Sequence, residues 1–153
     1  MFDSDWEKIE NLFPELNTLP TALTQFQRHA NLLKEASSRV RTVASTDSRM
    51  LRHYAESLES LRFVDEIRGE HICDVGSGGG FPGIIWAIML PKHKIHLIES
   101  NQKKAALLEK FKEKLELRNI EVHPKRAEDL ARDGLREQCM LVGVRAVGKL
   151  VTT

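Results

Sequence analysis

Two carboxylates and a run of glycines have the types and spacing of a ligand site. Asp74, Gly76, Gly78 and Gly80 spell acid-x-G-x-G-x-G, Gly83 follows Phe81-Pro82, and Glu99 ends the next apolar run. Glycines this dense let a ligand approach bare backbone and allow positive φ without a Cβ clash. Two frames compete. Gly78, Gly80 and Gly83 fit G-x-G-x-x-G, the dinucleotide fingerprint of an NAD-dependent dehydrogenase. The frame that starts at Asp74 is the loop of enzymes that use S-adenosylmethionine. Three points favour it. The first strand ends at Val75, so the turn begins at Gly76, ahead of the dinucleotide frame. Asp74 would repel a pyrophosphate, whereas the ammonium and sulfonium of S-adenosylmethionine attract a carboxylate. Glu99 can accept both ribose hydroxyls, a point that also suits NAD. Blander roles stand beside these. Asp74 can cap loop amides, and Glu99 can be the N-terminal charge of the following helix.

Such a loop needs a strand before it and a helix after it, and the pattern supplies both. "HICDV" reads as a short buried strand, and "GIIWAIML" as a helix with Pro82 near its first turn. "KIHLIE" is a strand and "NQKKAALLEKFKEKLEL" an amphipathic helix with Ala105, Leu108, Phe111 and Leu115 inward. "NIEVHP" is a strand, "AEDLARDG" a short helix and "CMLVGV" a strand. Alternation of this kind predicts a parallel sheet with helices on its faces, and right-handed crossovers order it third-second-first-fourth. The chain before Gly69 reads as helix. "SDWEKIENLF" has Ser4 and Glu7 in capping-box spacing with Pro14 beyond. Leu23, Phe26, Ala30 and Leu33 share a face, and a third helix from Thr46 or Asp47 buries Met50, Leu51, Tyr54, Leu58 and Leu61. The expected architecture is therefore α/β: an incomplete Rossmann-like sheet of about four parallel strands over residues 69–153, with a helical N-terminal extension over residues 1–68 packed on the same domain.

A net charge of +1 with 41% hydrophobic residues gives no global basic field, so nucleic-acid contacts need a local patch. Arg39, Arg41, Arg49 and Arg52, with only Asp47 among them, form that candidate. A solvated helix junction explains them equally well. Cys73 and Cys139 make no C-x-x-C and no zinc spacing, and reduced buried thiols are expected. The acidic start lacks a signal-peptide pattern, and no apolar run nears the roughly 20 residues that span a bilayer. Together these point to the cytoplasm, with no membrane partner.

"DVGSGGGFPGI" resembles the signature of the RsmG (GidB) family, bacterial guanine-N7 methyltransferases of small-subunit ribosomal RNA. Its Phe-Pro-Gly ending separates it from most methyltransferases. "RHYAES" at Arg52–Ser57, "LIESNQKKAALL" at Leu97–Leu108, "RAED" at Arg126–Asp129 and "RAVGKL" at Arg145–Leu150 follow the family in order. The resemblance runs from Thr42 to Leu150. It implies the class I methyltransferase fold, S-adenosylmethionine as cofactor, and ribosomal RNA or the 30S particle as partner. It implies that Gly76 and Phe81 line the cofactor pocket, that Ala127 and Glu128 meet the adenine, that Arg145 lies beside the cofactor, and that Arg52 and His53 face the active-site mouth. Arg145 pairing with a surface carboxylate and His53 as a plain surface histidine are the competing readings. Guanine N7 has an in-plane lone pair and no proton, so its methylation needs positioning and electrostatics rather than a general base. The sequence is consistent with that. "VRAV" stands where an exocyclic-amine methylase would carry Asn/Asp-Pro-Pro-aromatic, and Cys139 lies by a strand without the proline partner expected of a pyrimidine-C5 nucleophile.

Two departures from the family stand out. "RVRT" at Arg39–Thr42 replaces an Asn-Leu-Thr element, and the family runs on for further strands past the point where this chain stops. A fragment or a shortened member would leave the edge of "CMLVGVRAV" unpaired, which invites self-association. It would also weaken methyl transfer, so a non-catalytic module that binds S-adenosylmethionine or RNA is the rival function.

Overall fold

A computed structural model describes residues 3–36, 39–40, 47–62 and 69–144. At its centre lie four parallel strands, β1 (His71–Val75), β2 (Lys94–Ile98), β3 (Ile120–His123) and β4 (Cys139–Val144), in the order β3-β2-β1-β4. This is the order that right-handed crossovers predict. In β1 the three central residues are buried, and in β2 all but Lys94, as interior strands of a parallel sheet require.

One face is covered by α4 (Gly83–Met89) and α5 (Gln102–Lys114). Asn101 caps α5, its Oδ1 accepting the Lys104 N–H at 3.1 Å. Ala105, Leu108, Phe111 and Leu115 are all buried along one stripe, as their spacing predicts. The remaining helices are α1 (Asp3–Leu12), α2 (Ala22–Ala36) and α3 (Asp47–Ser60), with a 3-10 turn at Pro14–Thr18. They pack over α4 and α5, so one core runs from Trp6 and Ile9 through Phe26, Tyr54 and Ile84 to Leu97 and Phe111. Trp86 of α4 donates its indole N–H to Ser60 of α3 at 2.8 Å, which satisfies a buried donor between the layers. The other face carries α6 (Ala127–Arg132) and α7 (Leu135–Gln138), where Leu130 packs on Cys73 and Ile98.

Four local expectations are revised. The first helix starts at Asp3, so Ser4 lies inside it and does not cap it. In α2 the inward face takes Ala22 and His29, while Leu23 is half-buried. The four-residue α7, too short for periodicity to reveal, precedes β4. The cysteines are not separate thiols. Parallel pairing of β1 with β4 brings Cys73 and Cys139 to a Cα separation of 5.9 Å, and a disulfide joins them.

Candidate functional site at the carboxyl ends of the strands

The glycine loop leaves β1 at Val75 and turns at once. Gly76 donates its N–H to Ile98 O at 2.8 Å, Ser77 Oγ donates to Asp74 O at 2.9 Å, and Gly80 N–H reaches Ser77 O at 2.7 Å. Gly76, Gly78 and Gly80 have φ of 73°, 52° and 100°, a region that L side chains avoid. The glycines have different duties. A Cβ at Gly80 would lie 2.5 Å from Ile84 Cδ1 and 3.2 Å from His29 Nε2, so this glycine serves packing. A Cβ at Gly83 would meet Leu97 and stand 2.6 Å from Asp74 Oδ2. At Gly78 a Cβ would find only Gly76 O, at 3.8 Å. That glycine faces open space that a ligand can occupy.

Both carboxylates are built into the loop. Asp74 is 0% exposed, and its Oδ2 accepts the Gly83 N–H at 2.9 Å. It thus fills with its own charge the donor at the start of α4 that a dinucleotide pyrophosphate would use. Glu99 is 7% exposed and sits just past β2. Its Oε1 accepts the Gly78 N–H at 3.0 Å and its Oε2 the Asn101 N–H at 2.9 Å. The helix-charge reading of Glu99 is what these contacts show: one side chain ties the glycine loop to the start of α5. Each oxygen keeps a second lone pair for a hydroxyl donor.

Two adjoining cavities lie beside the loop. One, about 240 Å³, is lined by Val75, Gly76, Ile98, Ser100, Lys125, Arg126, Ala127 and Glu128. The other, about 230 Å³, is walled by Cys73, Leu130, Ala131, Leu135 and Cys139, and shares Val75, Ile98 and Ala127 with the first. The structure thus brings Gly76, past the end of β1, together with Ala127 and Glu128, past the end of β3. It turns the ring of Phe81 elsewhere. That ring is buried 5.1 Å from His29, 4.9 Å from Tyr54, and in a stack 5.1 Å from His53. His53 of α3 therefore meets the loop from above. Arg39 and Arg52 are exposed, and Arg52 Nε bonds Glu56 at 2.7 Å within α3. Arg41 and Arg145 lie outside the described residues.

His29 is the residue that sequence reasoning missed. It is fully buried, with Nε2 2.8 Å from Gly79 O and Nδ1 2.7 Å from the Tyr54 hydroxyl. Burial lowers its pKa from 6.5 to about 4, against the hydrogen bond to Gly79, which raises it. Neutral His29 thus donates Nε2–H to the loop carbonyl and accepts the Tyr54 hydroxyl at Nδ1. Burial likewise keeps that hydroxyl protonated, its pKa well above 10. The one available signal was spacing. His29 sits at i+3 from Phe26, inside the apolar stripe.

Residues 22–153 match the family model GidB, described as rRNA small subunit methyltransferase G. The chain belongs to the GidB family. Among curated proteins it is similar to "Ribosomal RNA small subunit methyltransferase G" of Geobacillus sp., 35% identical over 84% of this chain and 56% of that protein. The protein of the same name from Solibacter usitatus is 33% identical over 94% of this chain and 68% of the relative. That from Dehalococcoides mccartyi is 36% identical over 85% and 56%. The chain thus spans little more than half the length of most of these GidB relatives. A crystal structure of a mutant of MtNAS shares the fold, with a TM-score of 0.52, 19% identity, and coverage of 97% of this chain and 57% of that one. The GidB match contains the glycine loop, both carboxylates and all of the cavity lining.

Proposed function

We propose that this chain is the S-adenosylmethionine-binding part of a methyltransferase acting on guanine N7 of small-subunit ribosomal RNA in the cytoplasm. The observation that carries it is the pair of cavities at the strand ends, rimmed by Gly76, Ala127 and Glu128, beside a glycine loop in which a Cβ at Gly78 would meet only a backbone oxygen. The residues suit this cofactor better than NAD, because Asp74 already occupies the helix-start donor a pyrophosphate would need. When bound, S-adenosylmethionine supplies an electrophilic methyl on sulfur. Glu99 accepts the ribose hydroxyls, Ala127 and Glu128 hold the adenine, and Gly76 and Gly78 admit the methionine end. Asp74 acts through the loop it braces, adding negative charge behind a cationic ligand. Phe81 shapes the pocket by packing the loop against α3 from inside, and Arg145 lies beside the cofactor. His53 and the cations Arg39, Arg41 and Arg52 face RNA phosphates of the 30S particle. No side chain takes a proton, since N7 has none to lose.

A second reading rests on length. The alignment covers 56% of several relatives and includes the proposed cofactor pocket, and we propose that part of the substrate's wall lies in the relatives' remaining length. Calorimetric titration with S-adenosylmethionine, S-adenosylhomocysteine and NAD tests the pocket. Transfer of labelled methyl to undermethylated small subunits tests the enzyme. Binding of the first two ligands with weak transfer is expected from these 153 residues. NAD binding in place of both would overturn the reading. In the described sheet β3 and β4 are the outer strands, and self-association along β4 is proposed as well. Sedimentation as a monomer at high concentration would refute that.

A further inference from the structure

Three histidines stand on one face of the sheet, where parallel strands usually carry apolar residues. In the register of β2 and β3, His96 faces Glu121 and Ile98 faces His123. Side chains alternate along a strand, so His96, Glu121 and His123 project together. His71 of β1 extends the row. His71 Nδ1 lies 2.9 Å from His96 Nε2, and His96 Nδ1 lies 2.9 Å from His123 Nε2. The rings stack at 24° and 28°. Glu121 straddles the second gap, one oxygen 3.9 Å from His96 Nδ1 and the other 3.9 Å from His123 Nε2.

We propose that His96 Nδ1, His123 Nε2 and the Glu121 carboxylate form a binding site for a divalent first-row transition ion, zinc by ligand type. Two imidazoles and a carboxylate are a zinc donor set with a fourth position open to water. The three ligand atoms already lie within 4.8 Å of one another. Metal–nitrogen bonds of about 2.0–2.1 Å in a tetrahedron set the nitrogens roughly 3.3 Å apart, so the two rings must part by only about 0.4 Å. The proton held between them moves to His123 Nδ1, a tautomer change that frees both lone pairs with no net proton release. His96 then keeps its Nε2–H and donates it to His71 Nδ1. That bond fixes the ring's tautomer and direction, as the partner of a metal-bound histidine does. Glu121 must leave Lys94, now 2.9 Å away, but that exposed pair contributes little. With Glu121 46% exposed, the ion has a way in. The site would clamp β2 to β3 independently of the methyl-transfer reading.

The test is a titration of the chain with zinc chloride, followed by calorimetry, with cobalt(II) absorption as a second readout. The chain with both Cys73→Ser and Cys139→Ser removes the two sulfurs, which reduction of the disulfide would turn into alternative ligands. One zinc per chain is expected, with an affinity unchanged by the serine substitutions. His123→Gln and Glu121→Gln should each weaken it more than about tenfold, and His71→Asn by about tenfold as the orienting partner. Circular dichroism should show all three variants folded. Failure of the wild type to bind, or equal affinity in either ligand variant, overturns the site and leaves the row as a neutral imidazole ladder.

Discussion

Glu99 ties the glycine loop to the start of α5, and we propose that it also meets the cofactor's ribose. It accepts Gly78 N–H on one carboxylate oxygen and Asn101 N–H on the other. Glu99→Gln keeps the volume and removes the charge. It should weaken S-adenosylmethionine and S-adenosylhomocysteine alike, by about 1.5–3 kcal/mol, the range for hydrogen bonds to a charged group. Calorimetry with both ligands checks this, and a loss confined to one would place Glu99 elsewhere. The glycines allow a sharper contrast. Gly78→Val should abolish cofactor binding; its φ of 52° strains any side chain there and lowers stability somewhat, but the Cβ meets only Gly76 O at 3.8 Å, so the domain should stay folded. Gly80→Ala should lower stability itself, because its Cβ would press on Ile84 and His29. Melting and titration of the two variants separate the roles. A Gly80→Ala protein as stable as wild type would refute the assignment.

At the scale of elements, His29 makes the glycine loop depend on α2. Its folded pKa is about 4 and its unfolded pKa about 6.5. Between those values the unfolded state binds the extra proton, so acid favours unfolding there. Stability from this group is fully present above pH 6.5 and is lost progressively as pH falls toward 4. The stability advantage of wild type over His29→Gln should therefore shrink by about 1.4 kcal/mol per pH unit across that window. Denaturant titrations at several pH values measure it, and a constant difference would show that His29 is not buried neutral. Below about pH 4 the loop should also loosen, since a protonated Nδ1 no longer accepts the Tyr54 hydroxyl.

At the scale of the molecule, the α4–α5 layer lies between the sheet and α1–α3. Ile84, Phe111 and Leu108 are buried with Phe26, Tyr54 and Trp6 in one cluster. We therefore expect residues 69–153 alone not to melt cooperatively, because removing residues 1–68 bares the outer side of that layer. A calorimetric transition in the shortened chain would show two independent units. Phe111→Ala, by contrast, should cost the whole chain about 3–5 kcal/mol, as large-to-small changes in a packed core do. Among the described residues no helix is long and apolar enough to cross a membrane.

Much of this protein follows from local sequence alone. Short apolar strands, the α5 stripe from Ala105 to Leu115, and right-handed crossovers determine the sheet and its order. Neighbouring residues encode these features, and backbone chirality restricts how they connect. The glycine spacing with Asp74 and Glu99 marks the ligand end of the sheet for the same reason. Only the tertiary structure decided what those groups do. Asp74 and Glu99 turn onto loop amides, Phe81 points into the core, and His29 reaches a loop carbonyl fifty residues away. The Cys73–Cys139 bridge and the row of His71, His96 and His123 likewise depend on strand register. Such pairings join segments far apart in the chain, so spacing along the sequence carries no trace of them until packing brings the strands side by side.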